Sequence, residues 1–347
     1  MKKKILISVA AVVALFVLLG VLQALVVPKY AMNQEGLLTG EYYNHSGGHD
    51  VIFLGDCEVY ESFVPSVFWQ DYGITSYIRG SAQQLVWHSY YLLEETFKYE
   101  KPKAVVFNVY ALKYGEPQSE AYNRMTFDTM RWSTVKVKGI LNSMTDDESF
   151  IDYLFPLLRY HSRITELKGE DFKYWFNDPE VMTDNGYLIK TGVEPMKQQD
   201  PITDAPEELL SVRAMDYLEK IRVLCENNGS ELILVKAPTN PRGYWWYDEW
   251  DEQVRQYAEN NSLAYYNFIS EAEQIGIDWQ TDTYDEGLHL NVYGAEKFSR
   301  YFGQILAKNH SLTSRKDDEE TASLWNGYLN EYLSKKKEME GKANEKD

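Results

Sequence analysis

Short apolar runs, each closed by glycine or a polar residue, restrict this chain more than any other feature. Asp50-Val-Ile-Phe-Leu-Gly55 is one, Lys103-Ala-Val-Val-Phe-Asn108 another, and Glu231 to Val235 a third. Their β-branched and aromatic content, without polar alternation, describes strands buried on both faces. Ile74 to Ile78, ended by Gly80, and Leu263 to Phe268 are further strand candidates. Helical patterns separate them. Residues 81–99 carry Leu85, Tyr91, Leu92, Leu93 and Phe97, and residues 211–228 carry Val212, Met215, Leu218, Ile221 and Leu224 before Asn227-Asn228-Gly229. Helices are also expected over 248–260 and 294–308. The alternation predicts an α/β fold with a central parallel sheet covered on both faces, and sites in such sheets form at the carboxyl ends of the strands.

The stretch from about 111 to 205 interrupts this rhythm. Helical segments are expected around 126–143, 147–168 and 170–177, followed by a connection rich in Pro and Asp. It reads as an insertion between the third and fourth strands, forming a lid or subdomain over the site. Residues 311–347 are highly charged, and 317–340 reads as an exposed helix ahead of a frayed end.

The N-terminus sets the compartment. Lys2, Lys3 and Lys4 precede an uncharged run from Ile5 to Val27. Its 23 residues make roughly 34 Å of helix, against a hydrocarbon core of ~30 Å. The run is long for a signal peptide and no A-x-A site follows, so a membrane anchor is expected rather than a cleaved signal. Residues 1–4 are then a cytoplasmic tail, 5–27 the span, 28–48 a tether, and 49–310 an outward-facing domain.

Composition narrows the partners. A net charge of −18 disfavours nucleic acid and broad attachment to anionic lipid. Two cysteines, Cys57 and Cys225, are too few for a disulfide scaffold, and their spacing does not suggest a bridge. The histidines show no metal-ligand spacing, so neither a metal nor a cofactor is expected. Tyr244, Trp245, Trp246 and Trp250 could stack on a sugar or a lid, although packing accounts for such clusters more often.

Four motifs stand at strand ends in a telling order: Gly55-Asp56-Cys57-Glu58, then Gly80, then Asn108, and Asp285-Glu-Gly-Leu-His289-Leu-Asn-Val-Tyr-Gly294 near the end. This set resembles the SGNH/GDSL hydrolases, with cysteine in place of the nucleophilic serine. The resemblance covers residues 48–308 outside the insertion. It implies a flavodoxin-like three-layer α/β/α sandwich, Cys57 as nucleophile and His289 as base. Gly80 and Asn108 would line the oxyanion hole. Family spacing favours Glu286 as the carboxylate that orients the histidine, and Asp285 competes for the role. The single anchor and outward domain are also similar to SGNH-like proteins of cell-envelope acylation, which work beside a membrane O-acyltransferase.

Acyl transfer needs a nucleophile, a base, an orienting group and oxyanion donors. Cys57 is expected to open a helix, where the dipole favours a thiolate. Lys236, after the fourth strand, is a candidate for binding an anionic group, with a structural role as its alternative. Two functional readings follow. One is an esterase or O-acyltransferase acting on acylated cell-surface glycan. The other is an inactive module of the same shape that binds cell-wall glycan or docks onto a membrane acyltransferase.

Overall fold

The computed structural model describes residues 2–27, 38–45, 48–173, 181–197, 209–240 and 246–344. Five strands form one parallel sheet: β1 (Val51–Gly55), β2 (Ser76–Gly80), β3 (Ala104–Asn108), β4 (Glu231–Lys236) and β5 (Ala264–Asn267), in the order β2-β1-β3-β4-β5. The first three are buried along their whole length, and for β1 and β3 this shows in the sequence as unbroken apolar runs. Side chains alternate between two cores. Leu54, Val105, Phe107, Leu232 and Leu234 face the helices Val86–Thr96 and Val212–Asn228. Phe53, Val106, Ile233 and Val235 face the other core, with the helices Pro65–Tyr72 and Val292–Asn309.

β2 lies two residues later than the expected Ile74–Ile78. A buried Arg79 hid its end. The guanidinium donates to Glu95 at 3.1 Å and to the Thr39 carbonyl at 3.1 Å, and it lies 4.0 Å from the centre of the Tyr42 ring. A charge satisfied by distant residues looks like a strand terminator in sequence. The helix after β2 starts at Val86 rather than Ser81, because Ser81 and Gln84 bond to each other across a turn.

The insertion contains more and shorter helices than expected. Glu120–Phe127 and Thr134–Ser143 replace the single 126–143 segment. Phe150–Leu154 and Pro156–Tyr160 divide the next at Pro156, with a 3-10 turn over His161–Thr165. Gly169–Lys173 begins the third, whose residues 174–177 lie outside the described residues, as does much of the Pro- and Asp-rich connection. The described end of the insertion first meets the edge of the sheet, where the Ile78 amide donates to the Asn185 carbonyl at 3.0 Å, and then continues to the loop that carries His289. Gly186 (φ +88°) passes so close that an added Cβ would stand 2.4 Å from the Ile78 oxygen.

The charged C-terminal segment is likewise packed, where exposure was expected. Helix Glu319–Asn344 buries Trp325 and Tyr332, setting Trp325 5.9 Å from Trp69. At the other end, helix Lys2–Val26 is long and apolar enough to cross a membrane. Most of the expected tether, including residues 28–37, lies outside the described residues.

Candidate active site

The end of β1 makes a sharp turn into helix Cys57–Ser62. Gly55 takes φ +156°, and a Cβ there would stand 2.5 Å from Val59 and 3.1 Å from Asn108. Asp56 caps the helix by accepting from the Glu58 amide at 3.2 Å. Cys57 thereby occupies the first helical position, at the rim of the sheet, partly exposed.

The histidine arrives on a loop held from both sides. Glu194 and Lys190 meet it through the backbone pairs Glu194–Thr283 and Val292–Lys190, and Asn291 caps the helix that follows. Within the loop Asp285 accepts twice from His289, from its backbone amide at 2.8 Å and from ring Nδ1 at 2.5 Å. The other ring nitrogen, Nε2, lies 3.1 Å from the Cys57 sulfur. Cys57 and His289, 232 positions apart, thus join with Asp285 in a carboxylate–imidazole–thiol arrangement.

Glu286 does not share in it. Its φ of +65° turns the backbone, and its carboxylate pairs with Lys197. Asp285 therefore holds the ring, although family spacing favoured Glu286. The structure adds a second carboxylate that the sequence reading missed. Glu61 lies one helical turn beyond Cys57, accepts from the Tyr284 hydroxyl at 2.8 Å, and approaches His289 Nδ1 to 3.7 Å. Its i,i+4 spacing from Cys57 was the available signal.

Asn108 and Lys236 both meet Glu58. The Asn108 amide donates to Glu58 at 2.7 Å, while its oxygen accepts from the Ala237 amide at 3.1 Å. Its other N–H faces Asp56 Oδ1 at 3.5 Å. Lys236 is fully buried and donates to both oxygens of Glu58, at 2.8 and 3.0 Å. It is a structural cation rather than an anion receptor. Glu58 organises both side chains, and nothing in its local sequence marked it as buried. Gly80 sits in register with Gly55 at the sheet rim, against the Tyr60 ring.

Electrostatics modify the expected thiolate. Burial pushes the Cys57 thiol up to about 11; His289 opposes this, while Asp56 and Glu61 add to it. Burial disfavours charge on His289 as well, yet the sulfur and the Asp285 carboxylate raise it well above its ordinary value. Asp56 is lifted to about 7, by burial first and then by Glu58. Burial thus outweighs the dipole of the six-residue helix and holds the Cys57 pKa above its ordinary value. Lys113, also missed, lies on Tyr110 with its ammonium 3.5 Å from the ring centre, and burial lowers its pKa against the pull of Asp56, Glu58 and Cys57.

Cys225 is buried in the helix-covered core, and both cysteines are free. Trp246 and Trp250 pack edge to face at 5.8 Å; Tyr244 and Trp245 lie outside the described residues. No protein-family model matches the chain, and no curated protein matches it.

Proposed function

We propose that the chain is an SGNH/GDSL-like esterase or O-acyltransferase that acts outside the cytoplasm on acylated cell-surface glycan. The observation that carries this reading is the placement of Nε2 3.1 Å from the Cys57 sulfur while Asp285 holds Nδ1 at 2.5 Å. The strand order β2-β1-β3-β4-β5 supports a flavodoxin-like three-layer fold, with the site at the carboxyl ends of β1 and its neighbours. Lys2, Lys3 and Lys4 before the apolar helix support a cytoplasmic N-terminus and an outward domain.

In this mechanism Cys57 and His289 act as a pair that carries one proton between them. The sulfur attacks the ester carbonyl with that proton on Nε2, and Asp285 stabilises the imidazolium. Backbone amides near Cys57 and at Gly80, with the Asn108 side-chain amide, are the oxyanion donors. The tetrahedral intermediate expels the sugar oxygen, which takes the proton from Nε2, leaving a thioester on Cys57. Water then releases the acid, or a hydroxyl of a second glycan accepts the acyl group, with His289 again the base. Incubating the protein with an activated acetyl ester should place a hydroxylamine-labile acetyl group on Cys57. Loss of that adduct in His289→Ala is expected; its absence from the unaltered protein at neutral and alkaline pH would sink the proposal.

A second reading is supported by the raised pKa of the Cys57 thiol and by the hold of Glu58 on the Asn108 amide. Here the module is inactive, and it binds cell-wall glycan or docks onto a membrane O-acyltransferase. Cys57→Ala then leaves its cellular role intact, whereas the enzymatic reading requires that role to be lost while the fold persists.

A further inference from the structure

The two short helices Phe150–Leu154 and Pro156–Tyr160 are amphipathic the wrong way round for a soluble domain. Ile151, Leu154, Phe155 and Leu158 lie within eight residues across the break between them, and each is 40–52% exposed. The opposite side supplies the contacts to the protein. Tyr153 is buried beneath the Arg124 guanidinium, and Arg159 pairs with Glu120 at 2.8 Å. Large apolar side chains gathered so densely ordinarily face the core. When they face outward, as a contiguous apolar patch, they mark an interaction surface.

The position of the stripe identifies the occupant. The same segment packs on the end of the apolar N-terminal helix, where Leu25 and Val26 are buried and Arg163 donates to the Val26 carbonyl at 2.6 Å. Ile164 and Phe172, on the turn and helix beside that contact, are exposed too. An exposed apolar stripe is thus continuous with the point where the chain leaves a helix long enough to span a bilayer.

We propose that residues 150–172 form a second, interfacial membrane contact, with Ile151, Leu154, Phe155 and Leu158 sunk into the leaflet from which the N-terminal helix emerges. This rests on that helix being a membrane span, not on the chemistry at Cys57. Such a face settles roughly 5–10 Å into the headgroup–acyl boundary. The net charge of −18 makes apolar burial, not attraction to anionic lipid, its source. The domain is then held against the membrane at two points and cannot swing freely on its tether.

The test uses the full-length chain carrying Cys57→Ser, in phosphatidylcholine vesicles at no more than one copy per vesicle. Cys225 is buried and stays unlabelled in the folded protein. An environment-sensitive fluorophore is attached in turn to A11C in the span, L158C in the stripe, and L324C on the exposed face of the C-terminal helix. The expected result is blue-shifted emission and loss of iodide quenching at A11C and L158C, with L324C quenched as in water. Protection at L158C should persist in high salt and without anionic lipid. A protected A11C beside a fully quenched L158C overturns the proposal and leaves the stripe to a protein partner. A quenched A11C overturns the span itself, a separate failure.

Discussion

His289 lies between two carboxylates of unequal grip, Asp285 on Nδ1 at 2.5 Å and Glu61 at 3.7 Å. Asp285 also binds the histidine's backbone amide, so it fixes ring and loop together. Asp285→Asn should slow acyl transfer to Cys57 by roughly 10²–10⁴-fold, as losing the orienting carboxylate does in such sites. Glu286→Gln should leave the rate unchanged, and single-turnover acylation measured on both variants distinguishes them. The thiol makes a second prediction. Because burial raises its pKa to about 11, iodoacetamide should alkylate Cys57 slowly at neutral pH. The rate should climb well beyond the ~8.5 midpoint of a free thiol. His289 is the largest influence lowering that pKa, so His289→Ala should move the midpoint to still higher pH. A midpoint at or below that of a free thiol contradicts the raised pKa. At this scale the sequence identified Cys57, His289 and both candidate carboxylates, but not which one holds the ring. Backbone φ decides that: Glu286 is turned away at +65°, and no local pattern of residues encodes the turn.

The ends of β1, β3 and β4 are tied together by Glu58, Asn108 and Lys236, all buried. Removing one member of a buried ion pair strands the other charge in a medium that solvates it poorly. Glu58→Ala should therefore cost about 3–5 kcal/mol of stability, whereas the double variant Glu58→Met, Lys236→Met should lose much less. Chemical denaturation followed by tryptophan fluorescence measures both. The C-terminal helix makes a comparable prediction. Trp325→Ala should cost about 3–5 kcal/mol, because the ring fills a packed space against Trp69. An exposed helix would show almost no change. Elements with strong periodicity were legible: the helices at 212–228 and 248–260 fall where expected. Those governed by partners were not. Arg79 concealed the end of β2, Pro156 and Asp128–Ser133 divided helices that periodicity ran together, and Glu319–Asn344 looked solvent-facing because its charges outnumber its buried rings.

The whole molecule combines an apolar helix with a domain whose two cores lie on opposite faces of one sheet. If Lys2–Val26 spans the membrane as proposed, alkaline carbonate should fail to extract the protein, and protease added outside intact protoplasts should degrade the domain. Release into the soluble fraction would show that the helix had been cleaved, contrary to the proposed anchor. By itself the sequence determined the strand runs, the parallel α/β class, the apolar helix and the order of the motif residues. Each of these depends on how a short stretch partitions between water and a nonpolar interior, which its own side chains dictate. Only the tertiary structure decided that Asp285 rather than Glu286 grips His289, that Glu58 engages Asn108 and Lys236, and that residues 181–197 run from the sheet edge to the loop that carries His289. Those outcomes depend on which distant groups share a buried space, where an unpaired charge or amide is costly and the nearest partner is set by the path of the chain.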